Sequence, residues 1–321
     1  MSIATELQSL NDNILDAYDA VQDKGGTVPA NKNMAGLPTA IDSIPSGSGI
    51  GIPREVDANG AYKAPTQSFS FSLPSNATGV GEYALAYSFY GCTGLTSVDL
   101  SSITGASGNY AFHYAFAACR NLVSADFSSL ATVGGGSTFY YTFYRCSSLT
   151  SVSFPALTTV SGNSTLAYIC SNCTSLTSVS FPALTTVSGG GSAFSSAFYF
   201  CNNLTSVDFS SLTTVGGSYA FNGAFYSCTS LTSVSFPALA TLTGSNALYY
   251  AFNRCTNLTS VSFPALTASS FGTYTNQFDN MLYQCSNVTV HFPAAIQSTI
   301  GNWSSVTNGF GGTNTTVLFD L

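Results

Sequence analysis

"LTSVSFPALTTVSG" spans Leu149–Gly162 and returns unchanged at Leu176–Gly189. Working outward from the two copies, cysteine marks the register. Cys92, Cys119, Cys146, Cys173, Cys201, Cys228, Cys255 and Cys285 follow one another at intervals of 27, 27, 27, 28, 27, 27 and 30 residues. A fixed period of this size is the mark of a repeat architecture, in which each unit is one supersecondary element. Each unit reads C-x-x-L-x-x-V-x-F-x-x-L-x-x-V, then a Gly-rich stretch, then an aromatic segment that runs into the next cysteine.

The first half of the unit predicts a strand. Leu149, Val152 and Phe154 are apolar, and Ser151 and Ser153 between them are polar, the alternation of a half-buried strand. The aromatic segment predicts one or two helical turns. Phe112 and Phe116, Phe139 and Phe143, Phe194 and Phe198, and Phe221 and Phe225 are four apart, which places each pair on one helix face. A strand and one helical turn cannot bury an apolar face alone. Stacked copies can, because each slot then forms a continuous column.

The units "TFYRCSSLTSVSFPAL" (142–157) and "AFYSCTSLTSVSFPAL" (224–239) resemble the repeat of BspA-like leucine-rich repeat proteins, A-F-x-x-C-x-x-L-x-x-(I/V)-x-(I/F)-P. The resemblance covers about residues 62–293. It implies an α/β solenoid: a right-handed leucine-rich-repeat horseshoe with a parallel concave sheet. It also implies adhesion or receptor recognition, since many relatives are surface proteins. Two departures stand out. The Asn ladder of many leucine-rich repeats is missing, with Leu157 and Leu184 in that slot, and the export signal usual among relatives is not seen.

Composition excludes several functions. Only 7% of residues are charged, the net charge is -7, and seven Lys and Arg make up all the fixed positive charge. That cannot supply the basic footprint of a nucleic-acid binder. "MSIATELQSL" has neither a basic n-region nor an apolar h-region, so no secretory signal and no membrane insertion are expected. Two histidines, His113 and His291, lie in distant units, and no catalytic motif stands out. The expectation is no enzyme, no cofactor and no metal.

The slots can be read one by one. The cysteine column reads as buried thiols that pack like small hydrophobes. Cys170, three residues before Cys173, makes a C-x-x-C, a weak zinc or redox signal. Yet Cys170 takes the slot of Phe116, Phe143, Phe198 and Phe225, while Ile169 takes that of Ala115, Ala197 and Ala224. One residue shrinks as its neighbour grows, which reads as repacking at constant volume. Asp99, Asp126 and Asp208 project from the strand and precede "LSS" or "FSS". Where the slot is Ser, a proline follows, at Pro155, Pro182, Pro237 and Pro264. An Asp side chain can accept the backbone N–H two residues on, and proline has none to offer. These carboxylates could coordinate a cation, but the pairing with proline favours Asp as the cap of an amide that Pro removes. Ser97, Ser124, Ser151, Ser178, Ser206, Ser233 and Ser260 form a nearly invariant hydroxyl column on the same concave face, which could bind sugars or ice-like water but lacks the varied side chains usual in a binding site.

The strand half is constant, and the variation lies in the aromatic segment. Tyr87, Tyr90, Tyr114, Tyr141, Tyr144, Tyr168, Tyr199, Tyr226, Tyr250 and Tyr283 occupy two slots beside its buried face, with His113, Tyr140, Arg145, Asn172, Phe200, Asn222 and Arg254 between them. Tyr is amphipathic and favoured at recognition surfaces. These rings either cover the edge of the core or bind a partner, a host cell-surface protein or glycan.

Residues 1–45 stand outside the repeat. Ile3, Leu7, Leu10, Ile14, Ala17 and Val21 alternate steps of four and three, a seam of about three heptads. The expectation is an N-terminal helix that self-associates, with a trimer favoured, or docks on another protein. "KGGTVPANKNMAGLPTAIDSIPSG" (24–47) resembles N-terminal segments of phage tail and fibre-like virion proteins, which implies other virion proteins as partners. A linker occupies 46–61. "FSFSLP" (69–74) reads as a worn first strand. After "VTVHF" (288–292) the period is expected to end, leaving 294–321 as a C-terminal cap against which Trp303 packs. The joint reading is a virion or extracellular recognition protein, most simply a phage tail fibre or receptor-binding component. A bacterial BspA-like adhesin is the alternative, and a spacer without ligand is the third reading.

Overall fold

The computed structural model describes residues 55–56, 62–63, 68–73, 75, 77–271, 276–297 and 309–321. The proposed helix and seam at Ile3, Leu7, Leu10, Ile14, Ala17 and Val21, and Trp303, lie outside the described residues. So does most of the 46–61 linker, of which only Glu55–Val56 is described, paired antiparallel with Tyr62–Lys63.

From Phe69 onward the chain winds into a parallel-sheet solenoid of about nine turns. The predicted strands are present and pair with their copies one repeat away. Ser151–Ser153 pairs in parallel with Ser178–Ser180, Ser151 opposite Ser178 and Val152 opposite Val179, and Ser178–Ser180 pairs likewise with Ser206–Asp208. The worn strand Phe69–Ser72 pairs with Leu95–Asp99, with a register shift between Phe69 and Ser70. A second ladder joins seven two-residue strands, from Gly79–Val80 to Thr241–Leu242, in one parallel sheet. Its valines point inward and its threonines outward, as at Thr159 and Val160. Between this ladder and the aromatic segment the coils close tightly: a Cβ on Gly135 or Gly162 would strike the carbonyl of Gly108 or Gly135 one coil back. The Gly-rich stretches are thus corners between stacked backbones.

The predicted helical turns are not helices. Within 110–119, the N–H groups of His113, Ala115, Ala117 and Cys119 donate to the carbonyls three residues back, at 3.1, 3.0, 3.2 and 3.2 Å. The alternate N–H groups, of Phe112, Tyr114, Phe116 and Ala118, donate instead to Thr138, Tyr140, Thr142 and Tyr144 of the next coil, at 2.7, 3.0, 3.0 and 2.6 Å. An α-helix keeps every N–H for the residue four back. Here half of them are spent between coils. The geometry that permits this is a left-handed residue at every fourth position: Tyr110, Tyr114 and Ala118 have φ of 55°, 49° and 58°. Tyr114 is the third residue of the turn closed by Phe112 and Ala115, where a positive φ is the type II signature. The same rhythm recurs in the other coils, at Ser137, Tyr141 and Arg145 and at Ser164, Tyr168 and Asn172. The segment is a third ladder, built of overlapping turns.

The core runs the length of the stack. Phe127, Phe154, Phe181, Phe209, Phe236, Phe263 and Phe292 form one column of stacked rings, with neighbouring centroids 5.0–5.9 Å apart. Phe89, Phe116 and Phe143 form a second, at 5.4 and 5.6 Å. It is interrupted at Cys170 and resumes at Phe198, Phe225 and Phe252. Cys170 and Ile169 are both fully buried at the interruption, consistent with the exchange of volume between the two slots. Stacked pairs of this kind contribute about 0.5–1.5 kcal/mol each beyond their buried area.

The C-terminal stretch keeps the period. Thr316–Leu318 pairs in parallel, and in register, with Thr289–His291, and Phe319 stacks on Phe292. The expectation that the repeat stops after "VTVHF" is corrected. The cysteine slot of this coil holds Gly312, and that removes the sequence marker.

Candidate recognition surface

The turn ladder fixes where the tyrosines sit. One of their two slots is a left-handed position, occupied in successive coils by Tyr87, Tyr114, Tyr141, Tyr168, Ser196, Gly223, Tyr250 and Asn280. Its side chains lie one above another. Tyr87 stacks on Tyr114 (5.1 Å, 10°), Tyr114 on Tyr141 (4.8 Å, 13°) and Tyr141 on Tyr168 (4.4 Å, 11°). The stack ends there, because the next two coils place Ser196 and Gly223 in the slot. The second slot takes over: Tyr199 stacks on Tyr226 at 4.7 Å. Tyr250 meets Tyr283 edge-on at 5.5 Å. Every coil from Tyr87 to Tyr283 thus carries a tyrosine in one slot or the other.

The structure groups the predicted tyrosines unevenly. Tyr87, Tyr90, Tyr114, Tyr141, Tyr144 and Tyr168 form one contiguous aromatic patch. Tyr199 and Tyr226 form a second group with Phe200, and Tyr250 and Tyr283 a third. Stacking turns ring faces toward each other and leaves edges outward. Tyr87 is 9% exposed, whereas Tyr90 and Tyr283 are 37% and 41% exposed. Burial, followed by the neighbouring tyrosines, raises the hydroxyls of Tyr114 and Tyr141 far above their ordinary value and that of Tyr140 to about 12. These phenols are neutral at physiological pH.

Four residues of the patch, Tyr83, Tyr110, His113 and Tyr140, lie outside the two slots. Tyr83 stacks on Tyr110 at 5.1 Å, four residues before Tyr87 and Tyr114. His113 sits among Tyr87, Tyr110, Tyr114 and Tyr140, with centroids 4.8–5.4 Å away. It is buried, and neither ring nitrogen has a partner. Burial lowers its pKa to about 3, so it packs as a neutral ring. The signal for Tyr83 and Tyr110 was their spacing of four from the next tyrosine.

On the strand face the aspartates do what their spacing implied. Asp99 Oδ1 accepts the N–H of Ser101 at 3.0 Å, Asp126 Oδ1 that of Ser128 at 2.8 Å, and Asp208 Oδ1 that of Ser210 at 3.0 Å. Hydrogen bonds from the Ser101 hydroxyl and N–H hold the Asp99 carboxyl below its ordinary range. All nine cysteines are buried, and the eight periodic ones form a column. Cys119, Cys146 and Cys173 donate their thiols to the carbonyls of Phe89, Phe116 and Phe143 at 3.0, 3.1 and 3.0 Å. Among the described residues no group of three or more His, Cys, Asp or Glu could hold a metal, and no helix is long and apolar enough to cross a membrane.

Residues 58–195, 113–247 and 166–303 match the family model described as "BspA type Leucine rich repeat region (6 copies)". No curated protein matches the sequence. Similar solved structures include a leucine-rich repeat protein from Bacteroides ovatus (18% identity, 83% of this chain and 75% of that one, TM-score 0.39). Another is the leucine-rich repeat protein of T. pallidum (17%, 83% and 96%, TM-score 0.37). A third is a leucine rich cell surface protein from Faecalibacterium prausnitzii (15%, 82% and 92%, TM-score 0.22).

Proposed function

The chain belongs to the BspA-type leucine-rich repeat family, and from that premise we propose that it is a recognition or adhesion protein whose turn-ladder face contacts a cell surface. The observation that carries this is the contrast between faces. The strand face repeats Ser and capped Asp from coil to coil, while the turn ladder changes its side chains and exposes Tyr90, Tyr219 and Tyr283. Variable, amphipathic side chains on a rigid scaffold suit binding. The host ligand is a surface protein or glycan. The test is capture of bacterial envelope fractions by the full chain, with Tyr144→Ser and Tyr168→Ser as variants. Serine fits the slot of Tyr168, whose φ is 55°, since Ser196 occupies the same slot in the next coil at φ 50°. Reduced capture by variants that still unfold cooperatively, with only the modest loss of stability expected from a lost ring stack, supports the reading; undiminished capture assigns the face to packing.

The finer reading is a phage virion component, a tail fibre or receptor-binding protein attached to other virion proteins through residues 1–45 and trimeric through its heptad seam. It is supported by the resemblance of residues 24–47 to virion proteins. A bacterial surface adhesin is supported by the family itself. Immunogold labelling decides between them, on virions in one case and on cells in the other. Light scattering of the full chain, against a chain lacking residues 1–45, tests the trimer.

A further inference from the structure

The three capping aspartates and the three arginines lie on different faces of the solenoid, while two further acids, Glu82 and Asp279, lie on the turn ladder in coils other than those of the arginines. Asp99, Asp126 and Asp208 all lie on the strand face, each tied to the amide two residues on. The three arginines whose side chains are described, Arg120, Arg145 and Arg254, all sit one residue from a column cysteine, at the edge of the turn ladder. All three are exposed, and among the described residues none forms an ion pair. Arg145 lies over the ring of Tyr144 at 4.9 Å and Arg254 over that of Tyr226 at 5.7 Å. Arg120 belongs to the coil beside Arg145, as the bond from Ser147 Oγ to the Arg120 carbonyl shows. Arg145 and Arg254 share one slot four coils apart, about 19 Å at ordinary strand spacing.

We propose that this arginine edge binds a carboxylate-bearing polysaccharide laid along the solenoid axis. The inference rests on the recognition role proposed above and names its ligand class. A compact anion would meet one arginine of the Arg145–Arg254 pair. A linear polymer with one carboxylate per ring reaches both, its carboxylates on the guanidinium groups and its rings against the edges of Tyr144 and Tyr226. An acidic peptide suits the face less well. Extended peptides gain affinity by adding a strand to a free sheet edge. Along this ladder the backbone groups are already paired within and between coils.

The test is binding of the full chain to immobilised polygalacturonate, with dextran and poly-glutamate as comparisons and envelope capture measured alongside. Arg145→Gln with Arg254→Gln is the informative variant, because Gln284 already occupies that slot with a φ of 61°. Binding to polygalacturonate above both comparisons, weakened about tenfold by the double substitution and unchanged in melting temperature, is the expected result. Envelope capture without polygalacturonate binding overturns this inference and leaves the recognition role standing. Binding that the double substitution does not weaken, or equal binding to poly-glutamate, also overturns it. Loss of envelope capture and polygalacturonate binding together removes both readings.

Discussion

His113 lies flat against Tyr140, with ring centroids 5.4 Å apart and planes 15° apart, and neither imidazole nitrogen has a partner. The imidazole is held for its ring, at the cost of its polar atoms. An unpaired buried polar group costs about 1–3 kcal/mol, so His113→Phe should raise the melting temperature at pH 7. The larger effect is in acid. The folded-state pKa, about 3, lies below the ordinary 6.5, so the unfolded chain binds the extra proton. Stability is then complete above pH 6.5 and falls as the pH drops toward 3, by about 2 kcal/mol at pH 5. His113→Phe should remove that loss. Urea unfolding at pH 7 and pH 5 measures it, and an equal acid loss in the variant would show that the sensitivity lies elsewhere.

The aspartate caps predict a compensating pair. Asp126→Ser leaves the Ser128 N–H without its 2.8 Å acceptor, at a cost of about 0.5–1.5 kcal/mol. Adding Ser128→Pro removes the donor and copies the Ser153–Pro155 arrangement of the next coil, so the double variant should recover most of that loss. Ser128→Pro with Asp126 retained should recover nothing. Urea midpoints of the three variants give the comparison.

Much of this was legible in the sequence because stacking writes itself as sameness. The repeat, the strand half and the aspartate caps follow from slots that must match between coils. The turn ladder was not legible from its apolar residues. Phe112 and Phe116 share a buried face whether the backbone turns in 3.6 residues or repeats its φ every fourth. The distinguishing signal is in the other slots. Ser137, Ser164, Asn172, Asn246 and Gly223 sit at left-handed positions, and such residues are poor choices for a helix interior. The Tyr columns could be aligned by slot. Their stacking, and its passage from Tyr168 to the Tyr199–Tyr226 pair, depends on which neighbours are missing, a property of space rather than of spacing.

The cysteine column predicts chemical silence. Burial pushes the thiols of Cys119, Cys146, Cys201, Cys228 and Cys255 well above their ordinary value, and that of Cys285 to about 11. The thiolate is the reactive form. A thiol reagent at pH 7 should therefore label none of these six in the folded chain, burial should shield the other three, and all nine should react after denaturation. Reductant should leave the melting temperature unchanged. Rapid labelling of the folded chain would place at least one cysteine at the surface rather than in the core.

Ala118 gives the sharpest test of the turn ladder. Its φ is 58°, and an alanine held there costs about 1–2 kcal/mol relative to the right-handed region. Gly91 takes the same slot one coil earlier, at φ 72°. Ala118→Gly should therefore stabilise the solenoid, by somewhat less than the strain because glycine loses more backbone entropy on folding. In a helix the same substitution would destabilise by about 0.8–1.0 kcal/mol. The sign alone separates the two backbones. Ala117→Gly, at a residue without positive φ, supplies the control and should destabilise. Thermal melts of the two variants beside the parent suffice. A lowered melting temperature for Ala118→Gly would return the aromatic segment to the helical conformation that its phenylalanine spacing suggests.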